Sequence, residues 1–231
     1  MEIAEIIKQY KGDRKLPEID KFNKEYDVKK HAIFTDLVRY PDRTVITDYI
    51  DDKGVQQKKT TTLKLNRIGL AYQKKIVSIA TTFFCGVPIK YTNNGDENIY
   101  DSFQKIIEKN KMEFVDREIM NSIGRYTEVA ELWYHTEEPN ELLGFKTNFR
   151  LRVKLLTPDT NKLYPIFDEN DSLVSFAREF KTTRDGKDLE VFEVYTDEQI
   201  LRFEKEKDWV QTESKPNPIK KIPIVFRQQV S

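Results

Sequence analysis

Phe145-Lys146-Thr147-Asn148-Phe149-Arg150-Leu151-Arg152-Val153-Lys154-Leu155 decides the fold class, because its apolar residues fall on odd positions while Lys146, Arg150, Arg152 and Lys154 take even ones. A period of two marks a strand with one buried face, here with a basic outer face. Everything just upstream repeats instead every three or four residues. Behind Asn66, a plausible N-cap, Ile68, Ala71/Tyr72, Ile76, Ile79/Ala80 and Phe83 predict an amphipathic helix over Asn66 to Phe84. It carries Arg67, Lys74 and Lys75 but no acid, and Cys85-Gly86-Val87-Pro88 closes it. Gly86 is expected in the left-handed conformation that ends helices, and Pro88 forbids continuation. A second helix is predicted from Tyr100 to about Asn110, with Phe103, Ile106 and Ile107 on one face. A third starts near Met112 and repeats Phe114/Val115, Ile119, Ile123, Tyr126, Val129/Ala130 and Trp133. The change of period is placed after Trp133.

Downstream the chain reads as short antiparallel strands. Pro158-Asp159 is a turn, and Leu163 to Phe167 is a strand. Leu173 to Phe180 and Leu189 to Thr196 flank the hairpin signal Arg184-Asp185-Gly186. Ile200 to Phe203 and Asp208 to Gln211 are further strands, Ser214 to Pro218 is a polar linker, and Ile222 to Phe226 is a last extended run. Upstream of the first long helix, Ile3, Ile6, Ile7 and Tyr10 stand at helical spacing until Gly12 and Pro17 interrupt. Thr44 to Ile50 and the turn Asp51-Asp52-Lys53-Gly54 form a small hairpin. The expected class is therefore α+β, amphipathic helices followed by a mainly antiparallel β region. One region, 1–231, is expected in three parts: an N-terminal segment with a hairpin (1–65), a helical part (66–133) and a β part (134–231).

Composition narrows the function. Of 231 residues, 12% are aromatic and 34% charged, with 39 basic and 39 acidic side chains and a formal net charge of zero. Abundant aromatics argue for a folded chain. The balanced charge argues against a protein whose main work is gripping nucleic acid, which usually shows a basic excess. Cys85 is the sole cysteine, so no internal disulfide forms and a reducing compartment is expected. The start, Met1-Glu2-Ile3-Ala4-Glu5, is unlike a signal peptide. The longest low-charge run, Ile76 to Ile89, is too short to span a bilayer, so no membrane partner is expected.

Signals for chemistry are weak throughout. The eight glycines stand singly, with no G-x-G and no Gly-Lys-Ser/Thr phosphate cradle. His31 and His135 have no nearby cysteine or histidine, and zinc needs about four such ligands. Cys85 sits at a helix C-terminus, whose partial negative charge disfavours a thiolate, and reads as a small inert hydrophobe. Asp168, Asn170, Ser172 and Glu179 mimic positions one, three, five and twelve of a calcium loop, but Leu173 stands where that loop requires glycine. A polar turn is expected there, and another at Asp51-Asp52. The basic strand face reads as solvated or subunit-facing. No catalytic residue, cofactor site or metal site is expected.

The residues nevertheless suggest a family. Asn66-Arg67-Ile68-Gly69-Leu70-Ala71-Tyr72-Gln73-Lys74-Lys75-Ile76-Val77, running into Phe83-Phe84-Cys85-Gly86-Val87-Pro88-Ile89, resembles the helix and "F-x-x-G-x-P-I/V" ending of siphophage-type portal proteins. Asn110-Lys111-Met112, Asp116-Arg117-Glu118-Ile119 and Ala130-Glu131-Leu132-Trp133-Tyr134 are similar to that family's next helices. Leu163 to Glu169, Ser175 to Phe180, Val194-Tyr195-Thr196 and Lys221 to Gln228 resemble its β region, in the same order over about residues 30 to 230. The resemblance implies the N-terminal half of a tailed-bacteriophage portal, or head-to-tail connector, with a wing-type fold. It implies a non-enzymatic subunit of a dodecameric ring in the virion, assembled in the host cytoplasm. Through that ring double-stranded DNA passes, and capsid, terminase and head-tail adaptor proteins meet it. In the family a run like Ile222 to Gln228 precedes the channel helices and clip, so the chain reads as the front part of such a protein. Two other classes stay open. One is a Mg²⁺-dependent nucleic-acid enzyme using Asp51 and Asp168; the other is a monomeric adaptor docking through the face around Ile76 and Phe83.

Overall fold

A computed structural model of the chain describes residues 2–12, 14–184 and 186–229. They form six α-helices and ten strands in antiparallel sheets, an α+β protein. Two compact units result: residues up to Ile19 join those from Val77 onward, and Asp20–Ile76 stand as the other.

In the larger unit, two sheets enclose the main core. The five-stranded sheet has the order β5 (Asn161–Phe167), β6 (Leu173–Arg184), β7 (Lys187–Tyr195), β8 (Gln199–Lys205), β9 (Trp209–Pro216). The three-stranded sheet has β3 (Glu128–Asn140) at its centre, between β10 (Ile224–Gln228) and β4 (Thr147–Leu156). Strand alternation sends Leu163, Phe176 and Tyr195 from the first sheet against Ala130, Leu132, Leu156 and Ile224 from the second. The opposite face of the five-stranded sheet presents Tyr164, Ala177, Phe192, Val194 and Phe203. Helix α1 (Ile3–Lys11) covers it with Ile7, flanked by Ile3, Ile6 and Tyr10. The predicted spacing of these four residues thus has a sheet to meet. Gly186 adopts φ 76° in the β6–β7 turn, while Asp185 of that predicted turn lies outside the described residues.

Helix α6 (Met112–Tyr126) buries Met112, Ile119 and Tyr126, and stops earlier than the apolar spacing predicts. Thr127 takes a left-handed φ of 71°, and its N–H closes the helix on Ile123. Val129, Ala130 and Trp133 then belong to β3, where Val129 and Ala130 are fully buried. The misplacement has a physical cause: the start of β3 is buried on both faces, so Val129, Ala130 and Leu132 do not alternate with exposed residues and also satisfy a helical count. The polar linker at Ser214 is likewise shorter than expected, because β9 continues to Pro216. Helix α5 (Glu97–Lys109) matches the second predicted helix, with Asp96 as its cap, accepting from the N–H groups of Asn98 and Ile99.

The smaller unit contains α2 (Ile19–Tyr26, whose first residue belongs to the larger unit), a 3-10 turn (Val28–Lys30), α3 (Ala32–Thr35) and the hairpin β1 (Arg43–Ile50) with β2 (Gln56–Leu63). Asp51 makes the hairpin turn, its Oδ1 accepting from the N–H groups of Lys53 and Val55. Helix α4 (Tyr72–Cys85) begins six residues later than predicted, and Asn66 does not cap it. Asp42 accounts for the delay. Its carboxylate accepts the Leu65 N–H and pairs with Arg67 at 2.6 Å, while Arg67 also donates to the Tyr40 carbonyl at 2.9 Å. These bonds hold the backbone extended and, led by the one from Leu65, keep the Asp42 carboxyl below its ordinary pKa. Gly69 lies close against Val28 and Phe34, where any Cβ would come within 2.6 Å of both.

Candidate assembly surface

The apolar stripe of α4 is where the structure departs furthest from an ordinary core helix. Only Val77 is buried, packed where Gly124 of α6 leaves room for it. Ile79, Phe83 and Phe84 are 59%, 81% and 65% exposed. The Phe83 and Phe84 rings meet edge-to-face at 5.3 Å, and Val87 and Ile89 extend the apolar surface past the helix end. Gly86 does not take the predicted left-handed conformation. It is required for another reason: a Cβ there would sit 2.4 Å from the Thr82 carbonyl oxygen.

Cys85 stands half-buried at that helix end. Its Sγ–H donates to the Asp116 carbonyl, and burial raises the thiol's pKa, with Asp116 adding to the effect. It is held as a neutral thiol. His31 bonds the Glu25 carbonyl at 2.9 Å, and His135 is exposed with its ring edge-on to Phe149. Asp168 accepts from the N–H groups of Asn170 and Ser172 as a polar turn. Glu179 is engaged elsewhere, bonded to Lys11, Lys162 and the Tyr164 hydroxyl. The calcium-like spacing therefore does not converge on one point.

Strand β4 reverses the expected exposure along much of its length. Arg150 and Arg152 are half-buried and both reach Glu138 on β3, whereas Phe149 is 53% exposed. Burial on the apolar side requires a layer over it, and sequence alternation cannot report whether that layer exists. The free edge of β4 is closed by a side chain: Asn110 accepts the Val153 N–H and donates to the Leu151 carbonyl.

The charged side chains form the most ordered polar feature. Arg178 on β6, Glu193 on β7 and Arg202 on β8 stand in register across the five-stranded sheet. Glu193 accepts from Arg178 and, at 2.8 Å, from Arg202, while the Tyr195 hydroxyl donates to it at 2.6 Å. Arg202 continues to Glu204, which also binds Arg184. Arg178 lies 4.4 Å above the Phe180 ring. Burial pushes the Glu193 carboxyl up, but Arg178, Tyr195 and Arg202 outweigh it and hold Glu193 below the ordinary glutamate range. This network was invisible in the sequence, because its members are adjacent only through strand register. A second buried acid, Glu128, pairs with Arg14; burial raises its pKa, and its Oε1 has no partner among the described residues.

Among the described residues the arrangement is a braced scaffold with exposed apolar faces. A family model described as "Phage portal protein, SPP1 Gp6-like" matches residues 6–229. The chain belongs to the phage portal protein family. The portal assignment makes it a structural protein of virion assembly and DNA packaging, at the head–tail connection. No curated protein gives a significant match. No helix of this portal chain, among the described residues, is long and apolar enough to cross a membrane.

Proposed function

We propose that this chain is a subunit of the portal ring, the connector through which double-stranded DNA enters the capsid during packaging and leaves on ejection. The observation that carries this is the family match, which spans nearly every described residue from α1 to β10. In this reading the whole chain is one wing-like region, working in the virion and, during assembly, in the host cytoplasm. Its partners are further copies of itself, the capsid, terminase and a head–tail adaptor, and it catalyses nothing. The physics supports such a role. A portal wedge must hold its shape under load, and the two-sheet core with its cross-strand Arg–Glu network provides stiffness without a cofactor. The carboxylates that a Mg²⁺ enzyme would need, Asp51 and Asp168, are both committed to turn amides.

The test is location. Antibody labelling of tailed particles that contain the chain is expected to mark a single vertex, at the tail junction. Label spread over the shell, or missing from particles, would overturn the portal reading. Metal-dependent DNA cleavage lost on Asp168→Ala would do so as well.

A further inference from the structure

A ring of identical subunits needs two different complementary patches on each chain, because only heterologous contacts close around an axis. The larger unit carries two exposed apolar patches. The first is the α4 face at Ile79, Phe83 and Phe84, on a helix whose two charged residues, Lys74 and Lys75 in its first turn, are lysines. The second is on α5, where Ile99 is 70% exposed and Phe103 stacks edge-on against Tyr91 at 5.0 Å. Around Ile99 the charge is acidic: Asp96, Glu97 and Asp101 precede the first base of that helix, Lys105.

We infer that the α4 face of one subunit packs on the α5 face of the next, apolar on apolar, with the lysine-only helix against the acidic one. The inference rests on the ring reading and names the surfaces that make the ring. Like-with-like pairing is unfavourable: α5 on α5 would oppose acids near Ile99, α4 on α4 in a parallel pair would oppose lysines, and a contact of either patch with itself closes a dimer rather than a ring. Uncovered, Phe83 and Phe84 would be two adjacent aromatic rings held in water, the composition that marks interface anchors.

Cys85 makes a clean test possible, since Cys85→Ser removes the sole thiol and keeps a donor for the Asp116 carbonyl. In that background, Phe83→Cys with Ile99→Cys is expected to give a ladder of oxidised oligomers on denaturing gels. Each single variant is expected to stay monomeric there. Both sites are exposed enough for the substitutions to leave the fold intact, which circular dichroism checks. In native mass spectra, Phe83→Asp is expected to lower the ring population on the order of tenfold or more. Three results would overturn the inference: dimers from Phe83→Cys alone, rings without a ladder, or a chain monomeric at every concentration. Rings without a ladder would mean that another partner covers α4, leaving the portal reading intact. Failure of that reading shows separately, in the vertex labelling.

Discussion

Glu193 sits between two arginines and a tyrosine hydroxyl, with its own side chain almost entirely buried. Removing it strands positive charge in a place water hardly reaches. Glu193→Ala is therefore expected to cost about 3–5 kcal/mol, read from urea unfolding. The pH dependence follows from the sign of its shift. A carboxyl whose pKa is lower in the folded state stabilises fully above the ordinary glutamate value of 4.5, and that stability is lost as pH falls through the folded value. Glu179 acts in the same sense: burial pushes it up, and Lys11 and Lys162 bring it down further. Glu128 opposes them, because burial raises it and protonation relieves the folded state. Glu193→Gln should accordingly flatten the acid limb of the stability curve below about pH 4.5. An unchanged limb would show that Glu193 is as easily protonated folded as unfolded.

Elements were legible where one face is buried and one is wet. Ile3, Ile6, Ile7 and Tyr10 fixed α1, because their spacing reflects a real difference between faces, whereas the period-two run located β4 as a strand but gave the wrong face to the core. Such patterns failed where that difference vanishes: β3 is buried on both sides at its start, so Val129, Ala130 and Trp133 extended the predicted α6 past Thr127. The late start of α4 was hidden for another reason, since Asp42 acts on Arg67 from a distant part of the chain. As for the candidate surface, Phe83 and Ile76 were visible as a face, but exposure is a property of the fold and not of the residue. Asn110 belongs to the same class of unreadable features. Its amide substitutes for a missing strand along β4, and Asn110→Ala should destabilise by about 1–3 kcal/mol while raising exchange at the Val153 amide. Loss of stability without faster exchange at Val153 would argue that Asn110 matters only through its bond to the Ile106 carbonyl.

At the scale of the whole molecule, the two units differ in what holds them. The larger has a two-sided core around Phe176, Phe192 and Phe203. In the smaller, β2 is exposed at every residue and β1 at all but Val45, so hydrogen bonds and turn geometry do most of the work. Limited proteolysis should therefore cut first between Asp36 and Ala71, with the fragment from Val77 onward persisting, as mass mapping of early products would show. First cuts within β6–β8 would contradict this ranking of local stability.

The discontinuity of the larger unit has a further consequence, in time. Helix α1 leaves the ribosome well before the sheet it packs on, because its apolar face rests on Phe192 and Phe203. Ile7 and Phe192 are about 185 positions apart, which at roughly 5–20 residues per second leaves the helix undocked for about 10–40 s during synthesis. Through that interval Ile3, Ile6 and Ile7 are open to any hydrophobic contact nearby, including the same segment of other nascent chains on one messenger. Each copy of the chain thus carries a segment that must wait for its own sheet.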